Sequence, residues 1–128
     1  MGILVFKTVL LCFAGWGKIR HPGNSHPMLQ QAVLPVVNSS ICQNKADKAG
    51  FGLKITDQMV CAGEEGSIKS GCHGDSGGPF VCPDKRGRYF LHGDVSWGSP
   101  RCNTSDVFTV FARVTQFRHW VNNVLSSS

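Results

Sequence analysis

The chemistry in this chain is concentrated in Gly71-Cys72-His73-Gly74-Asp75-Ser76-Gly77-Gly78-Pro79-Phe80, where one serine stands between an aspartate and two glycines. A serine hydroxyl attacks carbonyl groups poorly unless three conditions hold. It must be exposed on a tight turn, a base must take its proton, and donors must receive the oxyanion. Gly74 lets the backbone turn so that two amides, of Gly74 and Ser76, can aim at one spot. Gly77 and Gly78 remove side chains that would block approach, and Pro79 fixes the exit into a strand. Ser76 is therefore a candidate nucleophile for acyl transfer and Gly74 a candidate oxyanion donor. The same residue types also suit an ordinary β-turn.

Short strands must position this loop. Val9 to Ala14 reads as an apolar strand closed by Gly15-Trp16-Gly17, and Leu29 to Val37 as a second, whose Pro35 points to an edge or a bulge. The segment from Asn38 to Gly50 holds a short helix capped near Ser39 or Ser40. Further strands fall within Ile55–Gly63, at Phe80–Cys82, at Tyr89–Trp97 and at Phe108–Val114. The period then changes: Val114, Phe117, Val121 and Val124 recur at three and four residues, predicting an amphipathic helix capped near Thr115 and packed on the body. Six short strands and one terminal helix predict an all-β fold, a small closed barrel with a docked helix.

Length allows one hydrophobic core and no second. The net charge of +5 comes from basic residues scattered along the chain without interleaved aromatics, so it reads as a solvated surface and not as a nucleic-acid interface. Six cysteines in 128 residues suggest an oxidised, exported protein, although spacing alone leaves their pairing open. No two cysteines lie in a C-x2-4-C pair, so no metal site is expected, and no cofactor. The sequons at Asn38 and Asn103 suit a secretory route. The lead Met1–Leu11 is apolar but too short for a membrane span and lacks a basic n-region; a buried strand behind a start methionine is favoured over a signal peptide.

The segments "CFAGWG", "LQQAVLPVV", "ITDQMVCAG", "GCHGDSGGPFVC", "VSWGSPRC" and "VFARVTQFRHWVNNVL" resemble, in order, those of the trypsin/chymotrypsin/elastase serine proteases. The resemblance covers residues 12–128, with residues 1–11 as an atypical lead. It implies the C-terminal half of such a protease, a six-stranded antiparallel Greek-key barrel, with three disulfides: Cys12–Cys82, Cys42–Cys61 and Cys72–Cys102. It makes Ser76 the nucleophile, Gly74 and Ser76 the oxyanion-hole amides, and Ser96-Trp97-Gly98 the edge that pairs with substrate backbone. Ser70 would be the floor of the specificity pocket, and Gly98 and Thr109 its walls. With no carboxylate at Ser70, an apolar residue should be preferred before the cut. Leu, Met or Ala should enter more easily than Trp.

The resemblance also shows what is not found among these residues. The family takes its base from an Ala-Ala-His-Cys segment of a first barrel, and its carboxylate from the same barrel. His21, His26, His73, His92 and His119 offer no substitute by spacing. Asp75 resembles the carboxylate that pairs with a new N-terminal ammonium after zymogen cleavage. Without that partner, a disordered or zymogen-like pocket is expected. The implied partners are a peptide or protein substrate and the missing barrel, in cis or in trans. The expected reading is a serine endopeptidase half-domain, secreted and inactive by itself. The alternative is a non-catalytic half-domain that binds peptides or a partner.

Overall fold

The computed structural model describes residues 10–127. Most of the apolar lead, residues 1–9, lies outside that range, and with it any leader it could contain. Six strands form one closed antiparallel barrel: β1 Leu10–Gly15, β2 Gln30–Val37, β3 Met59–Ala62, β4 Pro79–Pro83, β5 Tyr89–Trp97 and β6 Thr109–Arg113. Their order around the barrel is β1-β2-β3-β6-β5-β4, and β1 closes on β4 through just two residue pairs, Cys12 with Val81 and Phe13 with Phe80. Helix α1, Ser39–Lys48, bridges β2 and β3, and α2, Val114–Ser126, follows β6.

Alternation along the strands explains the core. Leu11, Phe13, Leu34, Val60, Phe80, Val95 and Phe111 point inward and are buried. Phe80 stacks on Phe111 with ring centroids 4.0 Å apart, and Phe13 meets Phe111 edge-on. Leu11, the last residue of the apolar lead, is buried in the barrel interior. Pro35 falls in β2 ahead of Val36 and Val37, the two residues that pair with β3, so its missing N–H leaves no gap in that ladder. A second cluster, Cys42, Cys61, Phe108 and Val110, sits beneath α1.

Three expectations are corrected. The cap of α1 is Asn38, whose side-chain oxygen accepts from the Ser40 amide at 2.8 Å, not Ser39 or Ser40. Helix α2 begins at Val114 behind Arg113, without a side-chain cap, and it is not packed down along its length. Val114 and Phe117 are half-buried, whereas Trp120, Val121 and Val124 are exposed. Finally, the Cys42–Cys61 and Cys72–Cys102 disulfides are formed, but Cys12 and Cys82 are free thiols. Register gives the reason. Cys12 lies opposite Val81, so Cys82 is one residue further along β4 and leans on the core, while the Cys12 sulfur turns toward Gln31 outside. Partial burial pushes the Cys12 thiol pKa upward.

Candidate active site

The connection from β3 to β4, residues 63–78, crosses one end of the barrel and carries the serine. Its shape comes from two consecutive reverse turns. The Asp75 amide donates to the Cys72 carbonyl at 3.0 Å, and the Gly78 amide donates to the Asp75 carbonyl at 2.9 Å. The third residue of each turn has a positive φ, +102° at Gly74 and +78° at Gly77. A turn of this kind needs glycine there, because a Cβ at positive φ meets the neighbouring carbonyl. Ser76 occupies the second position of the second turn and is exposed. Neither its amide nor that of Gly74 donates to any protein acceptor among the described residues. The exposed Ser76 thus lies on a turn beside two amides that no described acceptor engages.

Asp75 holds this loop from beneath. It is 7% exposed, and its two carboxylate oxygens accept from the backbone amides of Gly17 and Cys72, each at 2.9 Å. The expectation of a partnerless carboxylate is corrected here: two backbone amides donate to Asp75. Gly17 was not singled out from sequence as a site residue. A Cβ at Gly17 would stand 2.5 Å from the Asp75 carboxyl carbon, so only glycine permits this approach. The signal was present in the Gly15-Trp16-Gly17 triplet that closes β1.

Beside Ser76 lies a cavity of about 290 Å³, lined by Ser76, His73, Ser96, Trp97, Gly98 and Thr109 among others. The structure thus gathers most of the predicted site residues around one space. Ser96 is the extra residue of a bulge between Val95 and Trp97, which turns it out of the β5–β6 ladder. Ser70 does not line the cavity. Its hydroxyl instead meets the Thr109 hydroxyl at 3.1 Å, and Thr109 Oγ1 accepts from the Gly71 amide at 2.9 Å. These bonds fix the buried Thr109 side chain as part of the wall. The Cys72–Cys102 disulfide ties the serine loop to the opposite rim. That rim is stiffened by Asp106, which accepts from Arg101 and from the Ser99 hydroxyl. The Arg101 hydrogen bond holds the Asp106 carboxyl below the usual carboxylate range, and the same pairing raises the Arg101 pKa.

The family described as Trypsin matches residues 7–121. This chain belongs to that family of serine proteases. It is 44% identical over its whole length to chymotrypsin-like elastase family member 1 of Homo sapiens, and equally to that of Canis lupus familiaris. The Rattus norvegicus protein of that name is also 44% identical, over 88% of this chain. The two full-length matches cover 50% of each relative, so the chain spans about half the length of the curated relatives it matches.

No imidazole hydrogen-bonds the Ser76 hydroxyl among the described residues. His26 Nδ1 is engaged near Met28, His119 meets Asn123, and His92 on β5 lines a separate hollow with Val114 and Arg118. His73 shares the cavity with Ser76, but its Nδ1 faces the Cys72–Cys102 sulfurs.

Proposed function

We propose that this barrel supplies the nucleophile, the oxyanion donors and the specificity cavity of a serine endopeptidase, and that the base and its carboxylate come from polypeptide beyond these 128 residues. The observation that carries the reading is the exposed Ser76 on paired glycine turns, with two unengaged amides beside a formed cavity. With a base in place, Ser76 Oγ adds to the scissile carbonyl. The Gly74 and Ser76 amides stabilise the oxyanion, the amine leaves with the proton the base has taken, and water then hydrolyses the acyl-enzyme. Without the base, the remaining parts support only roughly 10³–10⁴-fold acceleration over water. Enzymes of this type reach about 10⁶-fold or more. The isolated chain is therefore inactive.

The half-buried and exposed apolar residues of β5 and α2, among them Phe90, Leu91, Trp120 and Val121, favour docking of the other half of the protease in cis or in trans. Gly98 and Thr109, in a cavity lined by no carboxylate among the described residues, favour an apolar residue before the cut. Two disulfides suit an oxidising, extracellular compartment. A purely binding half-domain would have no chemical use for the paired turns at Ser76.

A serine-directed fluorophosphonate tests this reading on the oxidised chain, alone and refolded with the N-terminal half of an elastase relative. The expected result is negligible labelling of the chain alone and stoichiometric, Ser76-dependent labelling of the refolded complex. Stoichiometric labelling of the chain alone refutes the external base. A correctly assembled complex that stays unlabelled refutes the catalytic role.

A further inference from the structure

Among the described residues, metal-ligating side chains converge at Cys72, His73 and Cys102, whose ligand atoms all lie within 4.8 Å of one another. The two sulfurs are joined in a disulfide and offer no thiolate. They instead orient His73. Its Nδ1 lies 3.8 Å from Cys72 Sγ and 3.6 Å from Cys102 Sγ, which leaves Nε2 on the opposite edge of an exposed ring. A second exposed imidazole, His21, stands with its ring centroid 5.0 Å from that of His73, the planes inclined at 45°.

This proximity is built by backbone bonds. The Lys18 amide donates to the His73 carbonyl at 2.9 Å, and Lys18 pairs with Ser25 across the loop that carries His21. We propose that His21 and His73 together bind a borderline transition-metal ion such as Zn²⁺, with water completing the shell, at the rim of the Ser76 cavity.

Simple geometry supports the pair. A Zn–N bond of about 2.0–2.1 Å along each ring's lone pair puts the metal about 3.2 Å from each centroid, and a tetrahedral angle then separates the centroids by about 5.2 Å. The observed centroid separation of 5.0 Å lies within the span that one bridging ion allows. Neutral imidazole nitrogens select Zn²⁺, Cu²⁺ or Ni²⁺ over Ca²⁺ or Mg²⁺, which require oxygen ligands. The carboxylate of this loop, Asp75, has both oxygens occupied by the Gly17 and Cys72 amides. Lys18 and Arg20, in the same loop as His21, lower the affinity for any cation without altering the ligand set. Because His73 lines the cavity, a bound ion would also narrow its mouth.

Calorimetric titration of the oxidised chain with Zn²⁺ tests the proposal independently of any protease activity. The variants are His21→Gln, His73→Gln, His26→Gln, His92→Gln and His119→Gln, each checked for native circular dichroism. The expected result is one Zn²⁺ per chain, with affinity falling at least about tenfold in His21→Gln and in His73→Gln and unchanged in the other three. Both ligand residues are exposed, so their loss leaves the fold intact. Undetectable binding at millimolar Zn²⁺, an unchanged affinity in either ligand variant, or a loss that follows His26, His92 or His119 overturns it.

Discussion

Replacing Asp75 by asparagine isolates the force that shapes the serine loop. The two side chains have nearly the same volume, so packing is kept. Asparagine, however, has one acceptor oxygen where aspartate has two, and its NH₂ must face one of the amides of Gly17 or Cys72. One hydrogen bond to a charged acceptor is lost, a loss of about 1.5–3 kcal/mol, and one buried N–H is stranded at about 1–3 kcal/mol. These overlap, since removing the acceptor is what strands the donor, so the expected total is about 3 kcal/mol. For a chain of 128 residues that corresponds to a fall in Tm of about 10 °C. Thermal melting of the oxidised chain by circular dichroism at pH 7 measures it, and the Gly17 amide shift in an ¹⁵N spectrum reports the local bond. A variant melting within about 2 °C of the parent, with the Gly17 resonance unmoved, refutes the claim that this carboxylate anchors the loop.

Three further outcomes are expected. Alkylation without reduction, read by peptide mass spectrometry, should capture Cys12 and Cys82 and leave the other four cysteines blocked; a Cys42–Cys72 linkage would contradict the framework. Gly77→Ala should destabilise by about 1–2 kcal/mol in chemical denaturation, because the native φ of +78° is unfavourable for a residue with a Cβ, although no atom obstructs the space. The Asp106 carboxyl should titrate below the ordinary value of about 3.9 in ¹³C spectra and move up toward it in Arg101→Ala. Since the folded pKa is the lower one, its contribution to stability is present above the unfolded value and is lost as pH falls through the folded value.

Local chemistry was legible where local rules decide the outcome. Gly74 reads as the residue that turns the backbone at the serine, whereas the second turn, with Gly77 at its third position, comes only from the structure. Apolar segments punctuated by turn residues announced all six strands. What could not be read locally depends on register or on distant partners. Gly17 reaches Asp75 across 58 residues, a partner that neither the loop nor the family resemblance pointed to, so the carboxylate was expected to lack one. The pairing of Cys12 with Cys82 failed on a single residue of offset between β1 and β4. The three-four period of α2 identified its apolar face correctly, but periodicity says nothing about what lies against that face, and Trp120 remains 64% exposed. The capping of α1 shifted by one residue because Asn38 reaches the Ser40 amide as readily as a serine could.

The two-pair junction of β1 with β4 has a consequence for chemistry as well as for stability. Gly17 lies four residues beyond Phe13 on one side of that seam, and Asp75 five residues before Phe80 on the other. Unzipping it would separate the Asp75 carboxylate from the Gly17 amide, while the Gly77 amide to Val95 carbonyl and Val95 amide to Gly78 carbonyl bonds still hold the end of the loop on β5. The bond from the Gly17 amide to the Asp75 carboxylate thus spans the same narrow seam that closes the barrel.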